Sequence, residues 1–287
     1  MIRTLIATLA LTASIHVANA AEKIRFAVTD IEGMEKLQQE FGPFRDALQT
    51  VTGLEIELLP VNSRTAAVEA LSAEQVDFVL TGPAEYVIIK ELTDAVIVTA
   101  WQRPDYFAQI AVLSDGPIKT IEDLKGKKVA FGSIGSTSQH LGPAQALSDL
   151  GLKHNVDYTS EIISRNVAVE AMINGDIAAV GLNRGHLDSV REAYPDVSFT
   201  VLARGRDLPN DILVARADVD PAIVEKVKSA FVDDSATLMN SLITTTEDNK
   251  KYIGGFFLKS VNDADYDYVR SMYRTIGIDS FNAFVGD

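Results

Sequence analysis

The stretch Val129-Ala130-Phe131-Gly132-Ser133-Ile134-Gly135-Ser136-Thr137-Ser138-Gln139-His140-Leu141-Gly142-Pro143 decides the reading of this chain. Three apolar residues break at Gly132, the chain passes Gly135, and three hydroxyl residues precede an Ala/Leu-rich helical pattern. That order predicts strand, turn and helix start. The first N–H groups of a helix have no partner inside it, and the dipole adds partial positive charge there. Hydroxyls at the same end bring rotatable donors, a combination suited to a small oxyanion. Ser and Thr are also the commonest N-caps, so the same residues can end a helix and hold nothing. No Gly-Lys-Ser/Thr follows the glycines, which excludes a P-loop.

Working outward, the chain alternates strand and helix. Lys23–Thr29 predicts a first strand, 34–52 a helix with apolar spacing through Leu37, Phe41, Phe44 and Leu48, and Gly53 its end. Further pairs follow at 54–61 with 63–73, and at 76–80 with a helix opening at Gly82-Pro83-Ala84-Glu85-Tyr86. This spacing means a parallel α/β sheet. The same order recurs from about 118 to 204, through strands at 158–163, 177–182 and 198–204 and helices at 144–150, 167–174 and 186–193. The remainder predicts one strand at 212–216 and helices at 221–242, 252–257 and 265–277. Two α/β lobes are therefore expected, 21–107 plus 207–287 and 108–206, crossed near 106–113 and again near 203–213. A cleft between lobes is a favoured ligand site, beyond the carboxyl ends of the strands. Both helix starts, with Thr29 at the end of the first strand, are expected at that position and able to face one another. Tyr86 stands one turn into its helix, either toward a ligand or packed half-buried.

Composition narrows the class. Residues 1–20 have a positive start, an apolar middle and Ala18-Asn19-Ala20, the layout of a cleaved secretory signal peptide. No Cys occurs, which removes disulfides, thiolate metal sites and a lipidated N-terminus. The formal net charge is −14, and without Arg3 it becomes −15, a balance unsuited to nucleic acid or anionic membranes. Four scattered His residues form no metal-ligand pattern, so neither metal nor cofactor is expected.

The sequence resembles the phosphonate/phosphite-type substrate-binding proteins of ABC transporters over most of the mature chain. The likeness runs through Gly53, Gly82-Pro83-Ala84-Glu85-Tyr86-Val87, 121–131 and Ser136-Thr137-Ser138-Gln139-His140-Leu141-Gly142-Pro143. It implies a two-lobed periplasmic binding protein (type II-like) of two mostly parallel sheets with a double-crossover hinge. It also implies anion-gripping roles for Ser136, Thr137 and Ser138, and a ligand-facing Tyr86. Arg64 stands where the family has a tyrosine, Arg165 where it has a histidine, and Gly181 where it has an aspartate. Two added cations and a lost carboxylate favour a small inorganic-type oxyanion over an aminoalkylphosphonate. Arg64 and Arg165 are otherwise ordinary surface arginines in salt bridges. His140, one step past Ser136, either touches the ligand or packs behind it.

The expected role is a monomeric periplasmic receptor delivering its oxyanion to a membrane permease. An alternative output is a sensor-kinase ectodomain. A further alternative is an exported hydrolase using Ser136 or Ser138 with His140, although no Gly-x-Ser-x-Gly elbow is present.

Overall fold

The computed structural model describes residues 22–31, 33–61 and 63–285, with the side chain of Arg64 left out. Residues 1–20, read from sequence as a signal peptide, lie outside the described residues. The first half of the described chain runs β1 (Lys23–Val28), α1 (Met34–Thr52), β2 (Glu55–Pro60), α2 (Arg64–Ser72), β3 (Phe78–Thr81), α3 (Pro83–Thr93) and β4 (Val96–Trp101). A second run follows: β5 (Phe107–Leu113), β6 (Lys128–Phe131), α4 (Gly142–Asp149), β7 (Thr159–Ile162), α5 (Arg165–Ile173), β8 (Ala179–Asn183), α6 (Arg184–Ala193) and β9 (Phe199–Asp207). The chain then returns through β10 (Asp211–Ala215), α7 (Pro221–Asp233), α8 (Ser235–Ile243), β11 (Phe257–Leu258) and α9 (Asp267–Thr275).

Two mixed sheets result, ordered β11-β4-β10-β3-β1-β2 and β7-β6-β8-β5-β9. β1 pairs parallel with β2 and β3, and β6 parallel with β7 and β8. β10 runs antiparallel to β3 and β4, and β5 antiparallel to β8 and β9. These two strands are the first that the chain makes after changing sheet. A chain leaving one sheet at its carboxyl edge enters the facing sheet at that sheet's carboxyl edge, and so must run backwards along it. The crossings at 102–106 and 208–210 are tied by Leu208 N–H to Tyr106 O at 2.8 Å.

The alternation of side chains accounts for a core on both faces of each sheet. On β1, Phe26 and Val28 pack with Phe44 of α1 and Phe231 of α7, while Ala27 packs with the α2/α3/α9 layer. On β5, Ile110 and Val112 face Phe131 and Leu147, and Ala111 faces Val169 and Leu187. Each fully buried Phe contributes about 1.5–3 kcal/mol of apolar burial.

Two C-terminal expectations differ. The predicted helix at 221–242 breaks between α7 and α8, where Asp233-Asp234-Ser235 supplies a stop and a new start. The predicted helix at 252–257 is instead a 3-10 turn, Asp248–Tyr252, followed by β11. Gly255 is the reason: a Cβ there would lie 2.1 Å from Gln102 O, so only glycine lets this segment run against the first crossing. Gln102 N–H then bonds Phe256 O at 2.9 Å and β11 joins β4.

Candidate functional site

The carboxyl ends of both sheets open on one cleft of about 970 Å³. β1 and β3 deliver Thr29 and Thr81 to one wall, and β6 and β8 deliver Ser136, Thr137, Ser138 and Asn183 to the other. Arg103 and Tyr106 of the first crossing and Asp211 after the second also line it, as do 247, 248 and 250–253.

After β6 the chain winds through a π-helical turn, Thr137–Leu141, rather than entering an α-helix directly. Leu141 N–H reaches Ser136 O at 3.0 Å, five residues back. Such wide turns leave additional backbone donors at their start and concentrate at functional sites. The Ser136 side chain does not cap this turn, although the residue is buried and lines the cleft. Its hydroxyl therefore has no structural role at the helix start.

The neighbouring hydroxyls are oriented by what the protein donates to them. Ala84 N–H, in the first turn of α3, donates to Thr137 Oγ1 at 3.0 Å, so the two helix starts meet directly across the cleft. Asn183 Nδ2 donates to Ser138 Oγ at 3.0 Å, while its own Oδ1 caps α6 through His186 N–H at 2.9 Å. Thr29 Oγ1 bonds Thr81 Oγ1 at 3.0 Å. A hydroxyl that already accepts one bond from the protein keeps its proton to give. The arrangement presents donors inward, which is what an oxyanion requires.

Charged groups surround this polar patch. The Arg103 guanidinium stacks 3.8 Å from the Tyr106 ring centroid and lies 3.3 Å from Asp211, whose other oxygen accepts from Tyr252 Oη at 2.6 Å. Burial alone would lower the Arg103 pKa, but Asp211 together with Tyr106 and Tyr252 offsets it, so the pKa is raised and the charge is fixed. His186 is pushed down to about 4 by burial and then by Arg165 and Arg103, so its imidazole is neutral at pH 7. Lys251 also lines the cleft and is exposed there.

Among the residues singled out from sequence, Thr29, Ser136, Thr137, Ser138 and Arg165 come together on this cleft. Two do not. Tyr86 is fully buried on the far side of α3, where its hydroxyl donates to Asp263 at 2.8 Å and its ring lies 4.5 Å from that of Tyr266. The Pro83 start turns this face of α3 onto the C-terminal elements, and the packing alternative is the observed one. His140 lies behind the turn: its Nδ1 accepts Gly135 N–H at 3.1 Å, and its ring packs on Phe131 and His154. It braces the turn from the core side. The Arg64 side chain lies outside the described residues.

Gly181 also corrects an expectation. A Cβ there would sit 2.7 Å from Pro143 and 2.8 Å from Phe131, inside the packing between β8 and α4. No side chain at 181 reaches the cleft without displacing that layer, so its lack of a carboxylate says nothing about an amine. Sequence reasoning missed Thr81, Arg103, Asn183, His186, Asp211 and Lys251. Only Asn183 carried a local signal, as a polar residue closing an apolar strand before a helix. Among the described residues no group of three His, Asp or Glu is placed to hold a metal ion.

A family model for the periplasmic substrate-binding protein of phosphonate ABC transporters matches residues 26–268. The chain belongs to this family. Its members are binding components of transporters, not catalysts, and neither the hydrolase nor the sensor alternative gains support. A curated relative, the phosphate-import protein PhnD of Mycolicibacterium smegmatis, is 25% identical over 281 residues, spanning 89% of this chain and 86% of that one. Among solved structures, PhnD1 of Prochlorococcus marinus in complex with methylphosphonate shares the fold with a TM-score of 0.66 at 17% identity, covering 89% of this chain and 98% of that one. A Xanthomonas citri protein bound to ATP gives 0.70 at 14% identity, covering 89% and 97%. Its family places the chain among periplasmic binding proteins, and no described helix is long and apolar enough to cross a membrane.

Proposed function

We propose that this protein captures a phosphonate or a kindred phosphorus oxyanion, such as phosphite or phosphate, in the interlobe cleft and hands it as a monomer to an ABC permease. The observation that carries this reading is the hydroxyl set at the meeting of two helix starts. Ser136 is free of capping duty, and Thr137 and Ser138 already accept bonds from Ala84 N–H and Asn183. Their protons and the backbone donors of the turn suit the oxygens of a tetrahedral anion. The names of two relatives, a phosphate importer and a methylphosphonate complex, agree with that chemistry.

Closure follows from the same contacts. With 21–107 plus 207–287 as one lobe and 108–206 as the other, an anion touching both walls favours the closed form, because only differential contacts shift such an equilibrium. The periplasm, reached through removal of residues 1–20, is where such a receptor works.

The test is a thermal-shift panel of phosphate, phosphite, methylphosphonate, 2-aminoethylphosphonate, arsenate and sulfate with the mature chain. A cognate anion at a hundred times its Kd adds about 2.7 kcal/mol, a rise of roughly 5–10 °C for a chain of this size. At least one phosphorus oxyanion is expected to give that rise. Stabilisation by none of them would overturn the reading.

A further inference from the structure

Both backbone groups of Ala84 reach beyond α3. Its N–H donates forward to Thr137 Oγ1 at 3.0 Å, and its carbonyl accepts from Tyr273 Oη of α9 at 3.0 Å. α9 thus stands two hydrogen bonds behind the hydroxyl turn. Among the described residues none of 262–285 lines the cleft, so this helix touches the site's framework without entering the site.

The spacing of the C-terminal residues explains the placement. Tyr266, Val269, Met272 and Tyr273 recur at helical intervals and are buried in the apolar layer that holds α2 and α3. Leu141, which ends the π-helical turn on the other sheet's side, is fully buried in that same layer. Ile276 packs there and also against the cluster of Ala144 and Leu147 from α4. Beside it, Thr275 Oγ1 donates to Gln145 Oε1 of α4 at 2.6 Å, and Asp149 fixes that amide by accepting from Gln145 Nε2 at 2.6 Å. The Arg206 guanidinium of β9 lies 4.5 Å from the Tyr268 ring centroid. Tyr266 Oη donates to Asn210 O of the second crossing at 3.0 Å. The C-terminal segment therefore holds α3, the second crossing, α4 and β9 at once, a third tie between the two sheets' halves besides the crossings. Rotation about 102–106 and 208–210 has to shear these contacts, and close-packed interfaces yield by discrete repacking rather than by continuous deformation.

We propose that Tyr273 and Thr275 of α9, with Gln145 of α4, are positioning residues for the anion site: they strap the two lobes from behind and hold the helix starts together before a ligand arrives. This rests on the reading that the 136–138 hydroxyls hold the anion between lobes 21–107 plus 207–287 and 108–206. A ligand entering a site already assembled does not bear the cost of bringing the lobes together, so the strap contributes to affinity without touching the anion. Loosening it lowers the fraction of molecules able to bind, and the apparent affinity falls by that fraction.

The experiment measures lobe separation by double electron–electron resonance. The chain has no Cys, so spin labels on Glu35→Cys of α1 and Asp188→Cys of α6, both exposed and on opposite lobes, are unique. With the strap intact, the ligand-free protein is expected to give one narrow distance that shifts little on adding methylphosphonate. Tyr273→Phe/Thr275→Val should give a longer, broader distribution that contracts with methylphosphonate, and calorimetry should show its Kd weakened about tenfold. Thr275→Ser keeps the donor and should restore half of the strap. Thr275→Val alone, at a half-buried bond, should show the same change in smaller measure, and decides the matter where the double variant does not fold. Distances unchanged in the variants, even with lowered stability, overturn the strap, because the bonds are then structural only. A strap-intact protein that is already broad and contracts on ligand as far as the double variant overturns it too. Unchanged affinity in an opened variant overturns the positioning role. Failure of the wild type to bind methylphosphonate, phosphite and phosphate alike breaks the underlying reading instead, and the ligand-free distances still decide the strap.

Discussion

The two helix starts that meet in the cleft share a sequence device and use it in opposite ways. At α3, glycine and proline set the first turn, and Tyr86 turns away from the cleft into a buried contact with Asp263 and Tyr266. Its Ala84 N–H is given to Thr137. At 136–138, by contrast, the hydroxyls stay on the cleft side and the core side is filled by His140 and Phe131. The α3 start thus spends a donor on the protein, and the 136–138 turn receives it and keeps its own protons for a ligand. Strand, glycine and helix start mark a place where an anion can sit. What packs behind the turn decides whether one does.

Breaking the brace behind the working turn has the larger expected effect. His140 is almost fully buried and pushed down to about 4, by burial first and then by the neighbouring His154. Unfolded, it titrates near 6.5, so between pH 6.5 and 4 the unfolded chain binds the additional proton. Stability present above pH 6.5 is therefore lost as pH falls through that window, by about 3 kcal/mol from this group. Urea unfolding at pH 7 and pH 4.5 should show wild type losing more than His140→Gln, which retains an acceptor for Gly135 N–H and cannot protonate. Equal losses would show that His140 is not held neutral behind the turn. A smaller effect is expected at the other helix start. Tyr86→Phe removes one hydrogen bond and should cost about 1 kcal/mol in unfolding while leaving phosphonate affinity unchanged. A loss of affinity at wild-type stability would place Tyr86 back in the ligand's path.

Much of this fold was legible in the sequence because its elements are locally consistent. The Leu37, Phe41, Phe44, Leu48 spacing and Gly53 marked α1 to its observed ends. The hydroxyl run at 136–138 was visible because three such residues directly follow a strand and a glycine turn. The reversed strands β5 and β10 were not, since their direction is dictated by a crossing between sheets rather than by their own residues. Nor were Arg103, Asp211 and Lys251. They come from two crossings and a C-terminal segment, and share the cleft only because Leu208 ties to Tyr106 and Gly255 fits beneath Gln102. Tyr86 and His140 carried the right chemistry on the wrong side of their helices, which periodicity alone does not distinguish when both sides are buried.

The central claim is that the cleft-side hydroxyls of the 136–138 turn hold the anion. Calorimetric titration of the paired variant Ser136→Ala/Ser138→Ala with a phosphorus oxyanion that binds the wild type tests it directly. The account predicts a loss of about 2–4 kcal/mol, roughly 30- to 1000-fold in Kd, with the fold intact by circular dichroism. Affinity within about threefold of wild type, less than one lost hydrogen bond, would contradict it.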